Sequence, residues 1–133
     1  MKALAKFGLV FSLMFMLMTC VTTMGVSKED NEKAYNQFLI KALGDSNVGI
    51  RSSAAQLLGE RKVEQAVTPL VKMLEAEKHY AVRITAALAL YQIGGDEALK
   101  ALQHKMKVEK NKTVKHVLAG LIDDMNNLKV VKQ

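Results

Sequence analysis

Three histidines, one cysteine, two adjacent carboxylates and a row of evenly spaced basic residues are the side chains of this 133-residue sequence that could do chemistry. His79, His104 and His116 are followed by Tyr80, Lys105 and Val117, and no second histidine stands four residues from any of them. Imidazoles at i and i+4 share one helical face and can clasp a metal. These three lack that spacing, so each reads as a solvated or turn histidine and no metal site is expected. Asp123 and Asp124 are neighbours, so on a helix they point about 100° apart and cannot serve one reacting group as acid and base. No serine stands in a tight glycine elbow, and Gly94-Gly95 lacks the further spacing of a phosphate-cradling loop. No catalytic set and no cofactor are expected, and the sequence reads as non-enzymatic.

The basic row is more informative. Arg51, Arg83 and Lys115 are each separated by 32 residues. Evenly spaced cations suit a repeating anionic ligand, or they are structural. In the structural case each stem covers apolar neighbours while its head meets a turn carboxylate or a loose carbonyl. Asp45, Glu77 and Glu109 lie six residues before the three basic positions and are the candidate partners.

The elements that would hold this row repeat with it. The same offset links Ile50, Val82 and Val114, then Ala55, Ala87 and Ala119, then Leu58, Leu90 and Ile122. It also links Ala66 to Ala98 and Leu70 to Leu102. Agreement at so many registers marks an internal repeat. Within each unit the second segment carries apolar residues on one face of a 3.6-residue helix, as in Val82, Ala86, Ala89, Leu90 and Ile93. The alanines at 55, 87 and 119 flank that stripe and would let neighbouring helices approach closely. First segments obey the same period at Ala66, Leu70 and Leu74, and at Ala98, Leu102 and Met106; in the first unit Phe38, Leu39 and Leu43 take that part. Gly44-Asp45-Ser46-Asn47 reads as a turn with Ser46 or Asn47 as N-cap, and Gly94-Gly95-Asp96 ends one helix and caps the next. Pro69 either begins the straight part of its helix or kinks it after a loose first turn.

Composition agrees. Half of the residues are apolar, only 5% are aromatic and there is one proline. Cores of Ala, Leu, Val, Ile and Met favour helices packed on helices. The expected fold is all-α, a right-handed α-solenoid of about three helical hairpins over residues 30–127, with 128–133 as a C-terminal tail and the opening helix starting near Asp30 or Asn31.

Residues 1–25 read as a secretory signal peptide. Lys2 and Lys6 precede the apolar run "FGLVFSLMFMLM", and the small and polar "TCVTTMG" follows, with cleavage expected after Gly25. Two alternatives fit the same segment. The 21 uncharged residues between Lys6 and Lys28 could span the roughly 30 Å of a bilayer, as an inner-membrane anchor over residues 7–26. Cys20, after Leu17-Met18-Thr19, stands where a bacterial lipoprotein carries its lipidated cysteine, although Thr19 departs from the small residue usual before it. All three place the remaining chain outside the cytoplasm, in the periplasm, at the outer membrane or beyond the cell. There a net charge of +6 overall, or +4 without Lys2 and Lys6, argues for solubility rather than nucleic-acid binding. Membrane attachment is expected only through the leader. Without Cys20 no disulfide contributes to stability.

The stretches "LIKALGDSNVGIRSSAAQLLGE" and "AVTPLVKMLEAEKHYAVRITAALALYQIGGDEALKALQ" resemble HEAT-type repeats, in particular the short-period bacterial subgroup called phycobilisome-lyase HEAT-like. The shared features are the hydrophobic-Arg pairs at 50–51 and 82–83, the Ala-Ala steps at 54–55 and 86–87, and "PLVKML". The third unit departs from the pattern with Lys115, Leu118 and "VEKNKT", as suits a terminal repeat facing solvent. HEAT-like di-iron hydroxylases carry paired His-Glu steps, and no histidine here is followed by glutamate. The resemblance implies second helices on the concave face. There Ile84, Leu88 and Tyr91 form an additional apolar stripe, whose counterparts are Ser52, Gln56 and Gly59 before it and His116, Gly120 and Asp123 after it. That stripe either seats a helix or peptide of a protein partner or is covered by its neighbours. The expected function is an exported protein–protein interaction module or adaptor. The alternatives are a small lyase- or chaperone-like accessory handling a cofactor-bearing partner, and a purely structural lipoprotein.

Overall fold

The computed structural model describes residues 27–131. The expected leader, with Cys20 and the alternative anchor, lies outside the described residues. Contacts divide the chain into units at 1–33 and 34–133. In the first, Ser27 caps a helix: its Oγ accepts from the Asp30 backbone N–H at 3.1 Å and donates to the Asp30 carboxylate at 2.7 Å. This reciprocal cap starts helix α1 (Lys28–Ala42) two residues before Asp30, slightly earlier than expected. Glu29 and Asp30 in its first turn suit the helix dipole.

In its described elements the second unit is all helices, joined by short turns. It continues α1 and adds α2 (Val48–Glu60), a 3₁₀ turn (Glu64–Ala66), α3 (Val67–Ala76), α4 (Tyr80–Ile93), α5 (Gly95–Val108) and α6 (Lys112–Val131). In chain order they form three rungs, α1–α2, α3–α4 and α5–α6, of an all-α solenoid, and in the second and third rungs the two helices pack on each other. Successive second helices pack on one another, α2 on α4 most extensively and α4 on α6 next, while α3 packs on α5.

Local signals set the boundaries. Asn47 is the N-cap of α2, its side chain accepting from the backbone N–H groups of Gly49 and Ile50 at 2.8 and 3.3 Å. Asn111 does the same for α6 through Thr113 and Val114, at 3.0 and 3.1 Å. Gly94 and Gly95 lie at φ +79° and +88°, where an L side chain would be strained, and this lets α4 turn directly into α5. Pro69 is the third residue of α3, in a first turn whose N–H groups have no intrahelical acceptor, so the missing donor costs nothing. The 3₁₀ turn before it is the loose start that the sequence suggested. Helix α6 does not stop at 127. No glycine or proline stands at 128–131 and the helix runs to Val131, so the expected tail is largely a helical extension.

The core follows the repeat. Ala55, Leu58, Leu70, Leu74, Ala87, Leu90, Leu102 and Leu118 are fully buried. On α4, Val82, Ala86, Ala87, Ala89 and Leu90 are all buried, because α2 covers one side of this helix and α6 the other. Two-sided cover explains its near-continuous apolar sequence. In the terminal rung the equivalents Ala119 and Ile122 are only half-buried. Gly120, on the outer side of α6, is exposed, and a Cβ there would meet nothing within 4 Å. Gly120→Ala is therefore expected to raise the unfolding free energy by about 0.5–1 kcal/mol, because alanine is the better helix former and no contact opposes it. Urea denaturation would show it as a higher midpoint at unchanged slope.

Candidate interaction surface and the arginine ladder

The basic row forms a ladder across the seams between rungs. Arg51 on α2 donates from Nη1 to the backbone carbonyls of Asp45 and Ser46 in its own turn, at 2.9 and 3.0 Å. Its Nε and Nη2 reach Oε2 of Glu77, in the turn of the next rung, at 2.8 and 2.7 Å. Arg83 on α4 repeats the pattern. Nη1 donates to the carbonyls of Glu77 and Lys78 at 3.1 and 2.9 Å. Nε and Nη2 form a fork on the two carboxylate oxygens of Glu109, at 2.9 and 3.0 Å.

Two of the three acidic residues, Glu77 and Glu109, therefore receive an arginine, each from the preceding rung and not from its own, whereas Asp45 meets Arg51 only through its backbone carbonyl. Each arginine takes carbonyls six and five residues behind it and a carboxylate 26 residues ahead. The reason is that the carboxylate in an arginine's own turn is aimed at that turn's backbone. Oδ1 of Asp45 accepts from the N–H of Asn47 at 2.7 Å, and Oε1 of Glu77 from that of His79 at 2.9 Å. Oε1 of Glu109 accepts from Lys110 and Asn111 at 3.0 and 2.9 Å. Lys115 stands exposed on α6 and makes no ion pair among the described residues.

The second seam is the more buried. The Glu109 side chain is 4% exposed, and Lys105 adds a further cation at 3.5 Å. Burial pushes the Glu109 carboxyl up, but the Asn111 N–H, the Arg83 guanidinium and Lys105 outweigh it and hold the group at about 2 against an ordinary 4.5. Glu77 is lowered in the same way: burial opposes, while the His79 N–H and Arg51 prevail. A carboxyl depressed on folding adds stability fully above its unfolded value, and that stability is lost as pH falls through the folded one. The Glu109 contribution is on the order of 3 kcal/mol near neutrality and disappears between about pH 5 and pH 2. Urea midpoints measured over that range should fall steeply, and Glu109→Gln should flatten the curve while lowering its neutral plateau.

Two apolar surfaces lie beside the ladder. On α4 the three residues of the expected stripe stand in different surroundings. Leu88 is 41% exposed, whereas Ile84 and Tyr91 are half-buried against the core. The Tyr91 hydroxyl donates to the Asp124 carboxylate on α6. That bond and the negative charge of Asp124 push the phenol pKa up. The tip of Tyr91 thus ties α4 to α6. Asp123 contacts Asn127 instead, at 3.5 Å, so the adjacent carboxylates serve different neighbours.

The second surface was not singled out from the sequence. A groove of about 370 Å³ lies between α1 and α2, lined by Tyr35, Phe38, Leu39, Ile50, Ala54 and Leu57 among others. Tyr35 and Phe38 stack with ring centroids 6.5 Å apart, and both are exposed. Ile50, expected in the core stripe, is 46% exposed, while its repeat equivalents Val82 and Val114 are 4% and 0% exposed. The repeat alignment itself carried the signal, because rungs two and three each have a rung before them to cover this position. Among the described residues no three or more His, Cys, Asp or Glu side chains gather as metal ligands. None of the described helices is long and apolar enough to cross a membrane.

The family profile for HEAT repeats matches residues 36–122, which begins within α1 and ends within α6. A search of curated proteins returns no match. The 32-residue period, the stacked helical hairpins and a profile match over most of the chain agree, and the chain belongs to the HEAT-repeat family.

Proposed function

We propose that the chain is an exported protein–protein interaction module, an adaptor rather than a catalyst, and that the α4 stripe seats a helix or peptide of its partner. HEAT repeats generally mediate protein–protein interaction, and the family is typically non-catalytic. The observation that carries the reading is Leu88. This large apolar side chain stays exposed on the middle rung, where neighbours cover most of the helix, and half-buried Ile84 and Tyr91 give it a rigid base. A fixed apolar anchor of this kind suits an amphipathic helix. Export rests on the basic, apolar and small-residue order of residues 1–25.

The test is crosslinking in the envelope of the native host, combined with N-terminal sequencing of the purified chain. A mature chain beginning at Val26 and a specific crosslinked partner are expected. Leu88→Glu should remove that crosslink while leaving the helical circular dichroism unchanged, and Gln103→Glu, an exposed change on α5, should retain both. A chain that keeps Met1 in the cytoplasmic fraction would sink the export reading. A crosslink insensitive to Leu88→Glu would sink the assignment of the stripe.

A further inference from the structure

The two ends of the ladder are complementary. In rungs two and three a turn carboxylate caps its own backbone through one oxygen and receives the arginine of the preceding rung: Glu77 from Arg51, and Glu109 from Arg83. Asp45 holds the same place in rung one. Its Oδ1 accepts from Asn47 as Glu77 accepts from His79 and Glu109 from Asn111. Among the described residues no cation reaches the Asp45 carboxylate. At the other end Lys115 holds the arginine place: its backbone N–H bonds to the carbonyl of Asn111, as that of Arg83 does to His79 and that of Arg51 to Asn47. Its side chain finds no carboxylate among the described residues. One end presents a carboxylate awaiting a cation, and the other a cation awaiting a carboxylate.

Packing shows the same relation. At the Asp45 end, Ile50 is exposed where its counterparts are covered by a preceding second helix, and Tyr35 and Phe38 extend the apolar surface. At the Lys115 end, the outer side of α6 carries His116, Ala119, Gly120 and Asp123. Of these, His116, Ala119 and Asp123 occupy the repeat positions of Ser52, Ala55 and Gly59, on the side of α2 on which α4 packs, and Gly120 stands at the rim with the exposed Gln56. Both sets are small or polar, and a face of that kind already forms one seam in this chain. The extension of α6 does not block it. Leu128 and Lys129 line a small cavity with Tyr91, Gly94 and Gly95, and Lys129 pairs with Asp96. The helix passes the point where rungs one and two turn, so no fourth rung begins there among the described residues.

We propose that the chain stacks head to tail with a second copy of itself. The outer side of α6 in one copy covers the Tyr35, Phe38 and Ile50 face of the next, and Lys115 of the first copy reaches Asp45 of the second. Such a contact is heterologous and leaves an open end on each copy, so it propagates instead of closing at two. It uses the two ends of the stack, whereas the partner stripe lies on the middle rung, so the two associations are separable.

The test is sedimentation of the full chain, expressed with residues 1–26 in its gene, over a wide concentration range. The expected result is an average mass that keeps rising past that of a dimer. Asp45→Lys or Lys115→Asp alone places like charges at the contact and should weaken association roughly tenfold or more. Asp45→Lys combined with Lys115→Asp in one chain should restore it, as should an equimolar mixture of the two single variants. Ile50→Glu, at a solvent-exposed position, should abolish it with helical content unchanged. A monomer at every concentration would overturn the proposal. So would a dimer that closes at two, or association that ignores both charge reversals.

Discussion

Arg83→Ala is expected to lower the unfolding free energy by about 3 kcal/mol, a large share of what a domain of this size possesses. The guanidinium joins three backbone segments at once, and its removal leaves the carbonyls of Glu77 and Lys78 and a nearly buried Glu109 without their principal donor. Lys105 and two backbone N–H groups still face Glu109. They soften the loss without removing it, because breaking one side of a buried pair typically costs about 3–5 kcal/mol. Arg83→Lys should recover only part, since a single ammonium cannot fork onto both carboxylate oxygens while also bonding two carbonyls. Arg51→Ala is expected to cost less, because the Arg51 and Glu77 side chains are slightly more exposed than Arg83 and Glu109. No loss at Arg83 would show that the ladder is not what joins the rungs. A role in tracking an anionic ligand would instead leave stability near normal and remove binding.

Gly59→Leu should cost a similar amount, about 3 kcal/mol, through sterics alone. A Cβ at Gly59 would come within 2.7 Å of the Ala89 Cα and 3.0 Å of its Cβ, so the α2 and α4 backbones must separate. The Gln92 side-chain oxygen can swing away, but the Ala89 backbone cannot. Leucine is a good helix former, so propensity favours the variant and any loss measures the seam itself. The expected readout is a lower urea midpoint together with faster hydrogen exchange in α2 and α4. A midpoint unchanged or raised, as expected for Gly120→Ala, would mean that the two helices tolerate separation.

Much of this architecture was legible because the repeat imposes one pattern three times. The offset of 32 placed Arg51, Arg83 and Lys115 at equivalent points of successive second helices, and the apolar stripes gave the helices. Asn47 and Gly94 marked boundaries, since capping and positive φ are local requirements. Glu77 and Glu109 were legible as partners too, but the rung that each serves was not, and Asp45 enters only through its backbone carbonyl. A separation of six suggested partners within one rung. The carboxylate in fact crosses the seam, because its other oxygen is already committed to its own turn.

Alanines 55 and 87 were expected to permit close approach of the helices, and both are fully buried. Gly59 was not expected in this part, yet it lies so close to Ala89, 30 residues on, that a Cβ would collide with the Ala89 backbone. Similarly, Tyr91 was an apolar residue with a polar tip until Asp124, 33 residues on, supplied its acceptor.

The sequence by itself determined the period, the helical hairpins and the set of residues that stabilise them, because helix faces and caps depend on neighbours within a few positions. Only the tertiary structure decided which rung each carboxylate serves, which apolar residues the stack covers, and that Ile50, Tyr35 and Phe38 stay open at one end. A repeat position has a similar apolar pattern around it in every rung, but its burial depends on whether another rung lies beside it.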